Sequence, residues 1–333
     1  MNELADRLQG YLADRYSGAR VSDFHFLLHG FESDIYTFVF HPAGEGPRLL
    51  ILRVYPGDGV IEKQQREVNG LRWLYRAGFP VPAFFCYETN PTYLGRPFTI
   101  MERIEGRLLR PLLDQVAPSR ARDLIDQFSA LLARLHQLEW RLFTDQAARH
   151  ESNPAAWLDD TIDHLHQLYV KYNLPGFTKI LGWLEFHKAG LDMQLVVAHL
   201  DYHASNVILR GDGSMAVIDW SRVGIADYRA DLSWTMMIMG DYGQPYWREQ
   251  ILRAYSLHSG KSIEDLDYFN ILTDLKSLTD TVISLKASPK ALGLNPARAE
   301  TVEQEAPNIQ RLLRRIRDIT GIEIPEAKEL LTF

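Results

Sequence analysis

The chain holds one cysteine, Cys86, among 333 residues. That excludes an internal disulfide framework and suits a reducing compartment. No apolar run reaches the length needed to cross a bilayer. The opening stretch MNELADRLQGYLADRY mixes acids and bases along an amphipathic helix and has none of the character of a secretion signal. A cytoplasmic protein with no membrane partner is therefore expected. There is no P-loop with its Gly-Lys-Ser/Thr ending, no internal repeat and no low-complexity tract. Positive charge is not in excess either. The net charge is −7, which argues against nucleic acid as a partner.

What is present is the composition of a globular enzyme, 46% apolar and 24% charged, in a chain long enough for two domains. Residues 1–104 carry 12 acids and 11 bases, a balance of −1, so the remainder carries −7 − (−1) = −6. That asymmetry favours a neutral or cationic substrate in the second part. The first hundred residues read as strands with one helix. FHFLLHG, DIYTFVF and LLILRVY are rich in aromatic and branched residues, and HPAGEGP supplies a hairpin loop. IEKQQREVNGLRWLYRAG predicts a helix with Val68, Leu71, Leu74 and Tyr75 on its apolar face and Gly78 as its stop. RPFTIMERIEG predicts a last strand and a link onward. From about residue 118 the spacing is helical, through Leu124, Ile125, Phe128, Leu131, Leu132, Leu135 and Leu138. Asn153 and Pro154 predict the N-cap and first residue of a further helix, and Ser262 to Asp265 matches a capping box. A strand-rich island, residues 195–220, interrupts the helices.

The chemistry concentrates in that island. HLDYHASN, residues 199–206, puts polar groups between two apolar runs, where they need partners. VILRGDGSMAVIDW, residues 207–220, reads as a hairpin around a Gly-Asp-Gly turn, with Asn206 and Asp219 at its two ends. An amide oxygen and a carboxylate brought together suit Mg²⁺. Asp201, five residues before Asn206, can reach a substrate hydroxyl beside the metal. His-x-Asp-x-x-x-x-Asn followed by a strand-end Asp is the pattern of a kinase catalytic loop. Alternatively, Asp201 is a turn or capping residue and Asn206 an ordinary loop residue.

Independent support comes from the first hundred residues. Arg53 interrupts the apolar strand LLILRVY and faces opposite Leu50, Leu52 and Val54. Glu67 lies on the helix face that carries Leu71 and Leu74, so the two charges can satisfy one another. Kinases use such a pair to aim a cation at nucleotide phosphates. A purely structural ion pair, or a snorkelling arginine, is the alternative. HGFESD, residues 29–34, sits between strands where a phosphate-covering loop belongs, with Gly30 and Ser33 as candidate contacts; an ordinary hairpin turn reads equally well there.

These segments together resemble the aminoglycoside phosphotransferase family of small-molecule kinases. The resemblance runs from about residue 20 to 240. It is carried by HLDYHASNVILRGDGSMAVIDW and RVGIADYRADLSW, and by LILRVYP, QREVNGLRWLYRAGFPVP, FTIMERIEG and LLARLHQLEW. It implies an α+β, two-lobed protein-kinase-like fold. Residues 1–103 would form a small antiparallel-sheet lobe with one helix that binds the nucleotide. Residues 104–333 would form a larger, mostly helical catalytic and substrate-binding lobe. The cofactors implied are ATP, with GTP as the alternative, and Mg²⁺. The acceptor implied is a hydroxyl on a small molecule that is aminoglycoside-like, an amino alcohol or a sugar derivative.

By the same resemblance Asp201 is the base, Asn206 and Asp219 hold Mg²⁺, and Arg53 contacts phosphate beside Glu67. Backbone groups from Glu102 to Ile104 meet the adenine, and Asp231 braces the catalytic loop, although a helix N-cap also explains Asp231. Two departures stand out. Leu200 replaces the family's glycine in His-Gly-Asp, and Arg53 stands where lysine is common. They prompt a second reading, a catalytically inactive kinase-like nucleotide-binding protein. A third takes His199, Asp201 and His203 as zinc ligands of a hydrolase.

Overall fold

The computed structural model describes residues 3–30, 32–55, 60–241, 243–292, 294–295 and 301–331. Phe31 of the HGFESD loop and Pro56 of LILRVYP lie outside the described residues. The chain begins with α1 (Glu3–Arg15), β1 (Arg20–His29), β2 (Asp34–His41), β3 (Arg48–Val54), α2 (Val60–Arg76), β4 (Phe84–Glu88) and β5 (Phe98–Glu102). Next come β6 (Arg107–Leu108), α3 (Leu109–Gln115), α4 (Pro118–His136), α5 (Ala147–Ser152), α6 (Ala156–Lys171) and α7 (Pro175–Lys188). The island follows as β7 (Leu195–Ala198), β8 (Val207–Leu209), β9 (Met215–Val217) and β10 (Gly224–Asp227). Helices α8 (Tyr228–Met236), α9 (Pro245–Ser259), α10 (Leu266–Lys286), α11 (Val302–Thr320) and α12 (Pro325–Glu329) complete the order.

The chain divides into two compact units. The first comprises Met1–Gly106 and takes up two later segments, Arg210–Ser221 and Ser288–Ala299. It is built on an antiparallel five-stranded sheet of order β1-β2-β3-β5-β4. Strand alternation sends Leu50, Leu52 and Val54 into a core with Phe38, Phe40, Phe98 and Ile100, closed by Leu8, Tyr11 and Leu12 of α1. The same alternation puts Arg53 on the other face, toward α2. That helix buries Gln64, Glu67, Val68, Leu71 and Leu74. Gly78 follows with φ of 72°, and the Phe79 N–H closes the end on Leu74 O at 2.9 Å.

The second unit, Arg107–Leu209 with Arg222–Ala287 and Glu300–Phe333, is mostly helical. Within it α4 packs on α9, and α10 packs on both α8 and α11. β7 and β10 pair antiparallel, Val197 opposite Ile225. Because α8 starts where β10 ends, it runs back past the segment that leaves β7. This connection carries the loop of the next subsection.

Several local expectations are corrected. Tyr75 is 58% exposed, because it lies a further 100° around the helix from Leu74. Asn153 does not cap α6: its Oδ1 accepts from the Ala155 N–H at 3.0 Å in a local turn, and the helix starts at Ala156. Ser262 to Asp265 forms no capping box. Ser262 Oγ donates to Glu264, and Asp265 precedes α10 with φ of 53° and no side-chain bond to the helix amides. A capping box does form at Thr301 and Gln304, ahead of α11. β4, α3 and α5 carried no recognised signal. Each is short, and β4 is half-buried along its whole length, so it lacks a period-2 pattern.

Phe98 is fully buried with its ring 4.8 Å from that of Tyr11. Phe98→Ala is expected to destabilise the protein by about 3–5 kcal/mol, and Tyr75→Ala by no more than about 0.5 kcal/mol, in chemical denaturation. Equal losses would contradict this placement of the core.

Candidate active site

In the first unit, Arg53, Glu67 and Asp219 meet. The strand puts the arginine on the sheet face toward α2, and the glutamate rises from the buried stripe of that helix. Arg53 Nη1 donates to Glu67 Oε1 at 2.5 Å and to Asp219 Oδ1 at 3.1 Å. Its Nε donates to Ser33 Oγ at 3.2 Å. Glu67 uses its other oxygen to accept from Tyr55 Oη at 2.7 Å, and Tyr55 also reaches Thr99 Oγ1 at 3.3 Å. Arg53 and Glu67 are buried, whereas the Asp219 side chain is 39% exposed. Burial works against the charge on Arg53, but Glu67 and then Asp219 outweigh it and hold the guanidinium firmly charged. Burial raises the Glu67 carboxyl, with Arg53 opposing. Asp219 sits at φ of 62°, a left-handed turn immediately after β9.

Gly30 and Ser33 lie at the β1–β2 turn. The Gly30 N–H donates to Ser33 O at 2.8 Å, and a Cβ at position 30 would come within 2.9 Å of that oxygen, so glycine is required. At the end of β5, the Glu102 N–H is bound to Ala83 O at 2.8 Å and the Arg103 N–H to Leu49 O at 3.0 Å. The Glu102 carboxylate accepts from the Ala83 N–H at 2.9 Å. Two of the three amide donors in this stretch are thus committed, and the third, the Ile104 N–H, has no backbone partner among the described residues. A cleft of about 670 Å³ opens nearby, lined by Leu50, Phe84, Phe85, Glu102, Arg103 and Arg210 among others, and it excludes Arg53, Glu67 and Asp219.

In the second unit, the loop from His199 to Asn206 is tied to α8. Asp231 accepts from the His199 N–H at 2.6 Å, from the Leu200 N–H, and from the His136 ring at 3.1 Å. His136 bonds onward to Tyr255 Oη at 2.7 Å. Asp231 therefore braces the loop and does not cap the helix; the N-cap is Asp227, which accepts from the Arg229 N–H. One turn further along α8, the Trp234 Nε1–H donates to Asp201 Oδ1 at 2.6 Å, and Thr235 Oγ1 donates to Tyr202 O at 2.8 Å. Leu200 takes φ of 61°, the left-handed region that glycine occupies without cost.

Asp201 is 22% exposed at its side chain. Burial would raise its carboxyl, but the hydrogen bond from His203 and the charges of Arg222, His203 and His199 outweigh it. The group is held below the usual carboxylate range, as an anion. Asn206 Nδ2 donates to Asp201 O at 3.0 Å and lies 3.2 Å from His203 Nε2. With its amide nitrogen engaged, Asn206 has its carbonyl oxygen to give to a metal. Asp219 likewise has a half-exposed carboxylate. Both are hard oxygen donors of the kind Mg²⁺ takes, so the donor chemistry fits that ion. Among the described residues no three His, Cys, Asp or Glu groups gather as a metal cluster, which leaves the zinc reading of His199, Asp201 and His203 without a site.

Sequence reasoning missed Tyr55, Thr99 and His136, whose roles depend on contacts across the fold. Trp234 carried a visible signal, a tryptophan three residues after Asp231, but its bond to Asp201 joins residues 33 apart in the chain. The acids Asp159 and Asp160 are neutralised by Lys188 and Arg149 at 2.5 Å each.

The phosphotransferase enzyme family matches residues 25–267, and the chain belongs to it. The fold is accordingly α+β and protein-kinase-like, an antiparallel-sheet part followed by a larger helical part. Among solved structures, LicA in complex with AMP superposes with a TM-score of 0.63 at 16% identity, covering 96% of this chain and 99% of that one. The gentamicin–APH(2")-IIa complex gives a TM-score of 0.59 at 17% identity, covering 100% and 98%. Among curated proteins, acyl-CoA dehydrogenase family member 10 of Mus musculus is 22% identical over 196 residues, 57% of this chain and 18% of the relative. Member 11 of Pongo abelii is 25% identical over 195 residues, 57% of this chain and 25% of the relative. The chain thus spans a quarter or less of the length of these relatives. Among the described residues, no helix is long and apolar enough to cross a membrane.

Glu67→Gln is expected to destabilise the first unit by about 3 kcal/mol, because it weakens the pairing of a buried guanidinium. The double change Arg53→Met with Glu67→Leu is expected to recover part of that loss. Urea denaturation of the three proteins checks both, and a double variant weaker than the single one would contradict the assignment. Leu200→Gly relieves a left-handed strain of about 1–2 kcal/mol but loosens the unfolded chain by about 0.5–1 kcal/mol. Its melting temperature is expected to stay within a few degrees of the parent.

Proposed function

We propose that the protein is an ATP-dependent phosphotransferase that moves the γ-phosphoryl group to a hydroxyl of a small molecule, with GTP as the alternative donor. The observation that carries this reading is the Asp201 carboxylate, kept ionised and aimed by the Trp234 indole on a loop that Asp231 pins. Nucleotide binding falls to residues 1–103 and catalysis to residues 104–333. In this reading Arg53, aligned by Glu67 and Ser33, contacts phosphate, and the Gly30–Ser33 turn covers it. The Glu102 carbonyl and the Ile104 N–H take the adenine edge.

Asn206 and Asp219 offer oxygen ligands to Mg²⁺, which when bound neutralises phosphate charge. Asp201 orients the acceptor hydroxyl. The hydroxyl oxygen of the acceptor forms a bond to the γ-phosphorus while the bond to the β,γ-bridging oxygen breaks, ADP keeps that electron pair, and the hydroxyl proton passes to Asp201. A carboxylate of lowered basicity suits a loose transition state, in which the proton leaves late. The competing reading, an inactive nucleotide-binding protein, rested partly on Leu200. That residue adopts the conformation a glycine would, so the substitution does not itself redirect the loop.

The test is turnover of MgATP and MgGTP across aminoglycosides, choline, homoserine and sugars. Asp201→Ala is expected to lose about 10²–10⁴-fold in acceptor-dependent turnover while keeping its nucleotide affinity in a binding titration. Turnover unaffected by the substitution would sink the assignment of Asp201. Absence of nucleotide binding in the parent would sink the kinase reading itself.

A further inference from the structure

Every residue that lines the cleft of about 670 Å³ belongs to the first unit. The cleft shares only Glu102 with the residues assigned to the nucleotide, and its wall includes Leu50, which strand alternation turns to the sheet face opposite Arg53. Its volume falls within the roughly 300–1,000 Å³ of small-molecule sites. The walls are preformed by backbone hydrogen bonds. The Glu102 N–H donates to Ala83 O at 2.8 Å, and the Glu102 carboxylate accepts from the Ala83 N–H at 2.9 Å. The Arg103 N–H donates to Leu49 O at 3.0 Å, and the Arg210 N–H donates to Ser214 O at 2.8 Å across the hairpin turn.

Pro47, Leu50, Phe84 and Phe85 give the cleft an apolar side. Both rings are half-buried and held in place. The Arg72 guanidinium carbon lies 4.4 Å from the centre of the Phe84 ring, and the Phe85 ring lies 5.1 Å from that of Phe40. The charges in the lining balance, Arg48, Arg103 and Arg210 against Glu102, Glu105 and Asp212. Four of the six are engaged. Arg48 pairs with Glu45, and Arg103 Nη1 donates to Thr37 Oγ1 at 3.2 Å. Glu102 holds the Ala83 amide, and Asp212 Oδ1 accepts from the Ser214 N–H at 2.9 Å and from Ser214 Oγ at 2.7 Å. Arg210 and Glu105 are left. Among the described residues neither side chain has a hydrogen bond or an ion pair, so they do not pair with one another. An open cation and an open anion on one apolar cleft complement a molecule that carries both charges on an apolar body.

We propose that this cleft binds a small zwitterion with an aromatic or branched apolar body, the chemistry of a free amino acid such as phenylalanine or leucine. Arg210 takes the carboxylate with its forked donors, Glu105 takes the ammonium, and Phe84 with Phe85 cover the apolar body. The site is separate from the proposed phosphoryl transfer, and binding there needs no turnover.

Calorimetric titration of the full chain with phenylalanine and leucine tests this, beside phenylalaninamide, N-acetylphenylalanine and glycine. At least one of the two apolar amino acids is expected to bind, with MgATP present or absent. Each of the three analogues lacks one contact and is expected to bind about tenfold more weakly. Arg210→Gln is expected to remove the preference for the acid over its amide, and Glu105→Gln the preference for the free amine over its N-acetyl form. Arg210 is half-buried and Glu105 exposed, so both variants are expected to keep the melting temperature of the parent without ligand. Failure of both amino acids to bind at millimolar concentration would overturn the proposal. So would binding that neither substitution alters, which places the ligand elsewhere, or binding that MgATP displaces, which makes the cleft part of the nucleotide site.

Discussion

One buried carboxylate organises the helical unit. Asp231 accepts hydrogen bonds from two consecutive backbone amides and from an imidazole, with no solvent access. Hydrogen bonds to a charged acceptor are worth about 1.5–3 kcal/mol each, enough to offset the roughly 1–2 kcal/mol of a leucine in left-handed backbone. Leu200 is therefore tolerable where glycine is easier. Everything beyond it on the loop inherits its path: Asp201 reaches the Trp234 indole, Tyr202 buries its ring and donates to Phe128 O at 2.8 Å, and Asn206 folds back onto Asp201. Asp231, Trp234 and Thr235 share one face of α8, so a single helix fixes the backbone, the carboxylate and the adjoining carbonyl.

The first unit solves a different problem, that of keeping a guanidinium charged inside a sheet-and-helix core. Arg53 is buried, and its five donors need acceptors. Glu67 and Asp219 accept from Nη1 and Ser33 from Nε, while Tyr55 donates to the remaining Glu67 oxygen. Such a cluster is rigid because every member is partnered by another. Asp219 is the exception in exposure, and it is the member for which a role toward Mg²⁺ is proposed.

Charge away from these clusters is settled locally: Asp159 pairs with Lys188 and Asp160 with Arg149.

Much of the architecture was legible in the chain itself. Alternation in β2 and β3 and the apolar stripes of α2 and α4 follow directly from residue order, since a period of two or 3.6 is a local property. The spacing of Asp201, Asn206 and Asp219 was equally visible, and so was the charge of Arg53 on the wrong face of an apolar strand. Tyr75, Asn153 and the segment from Ser262 to Asp265 were misread because local patterns leave open which of several adjacent turns buries a face or starts a helix. Tertiary structure decided that Asp231 braces a loop and does not cap a helix, that Trp234 holds Asp201, and that Tyr55 completes Glu67. Each joins residues far apart in the chain, and a partner's identity depends on distance in space, which periodicity does not encode.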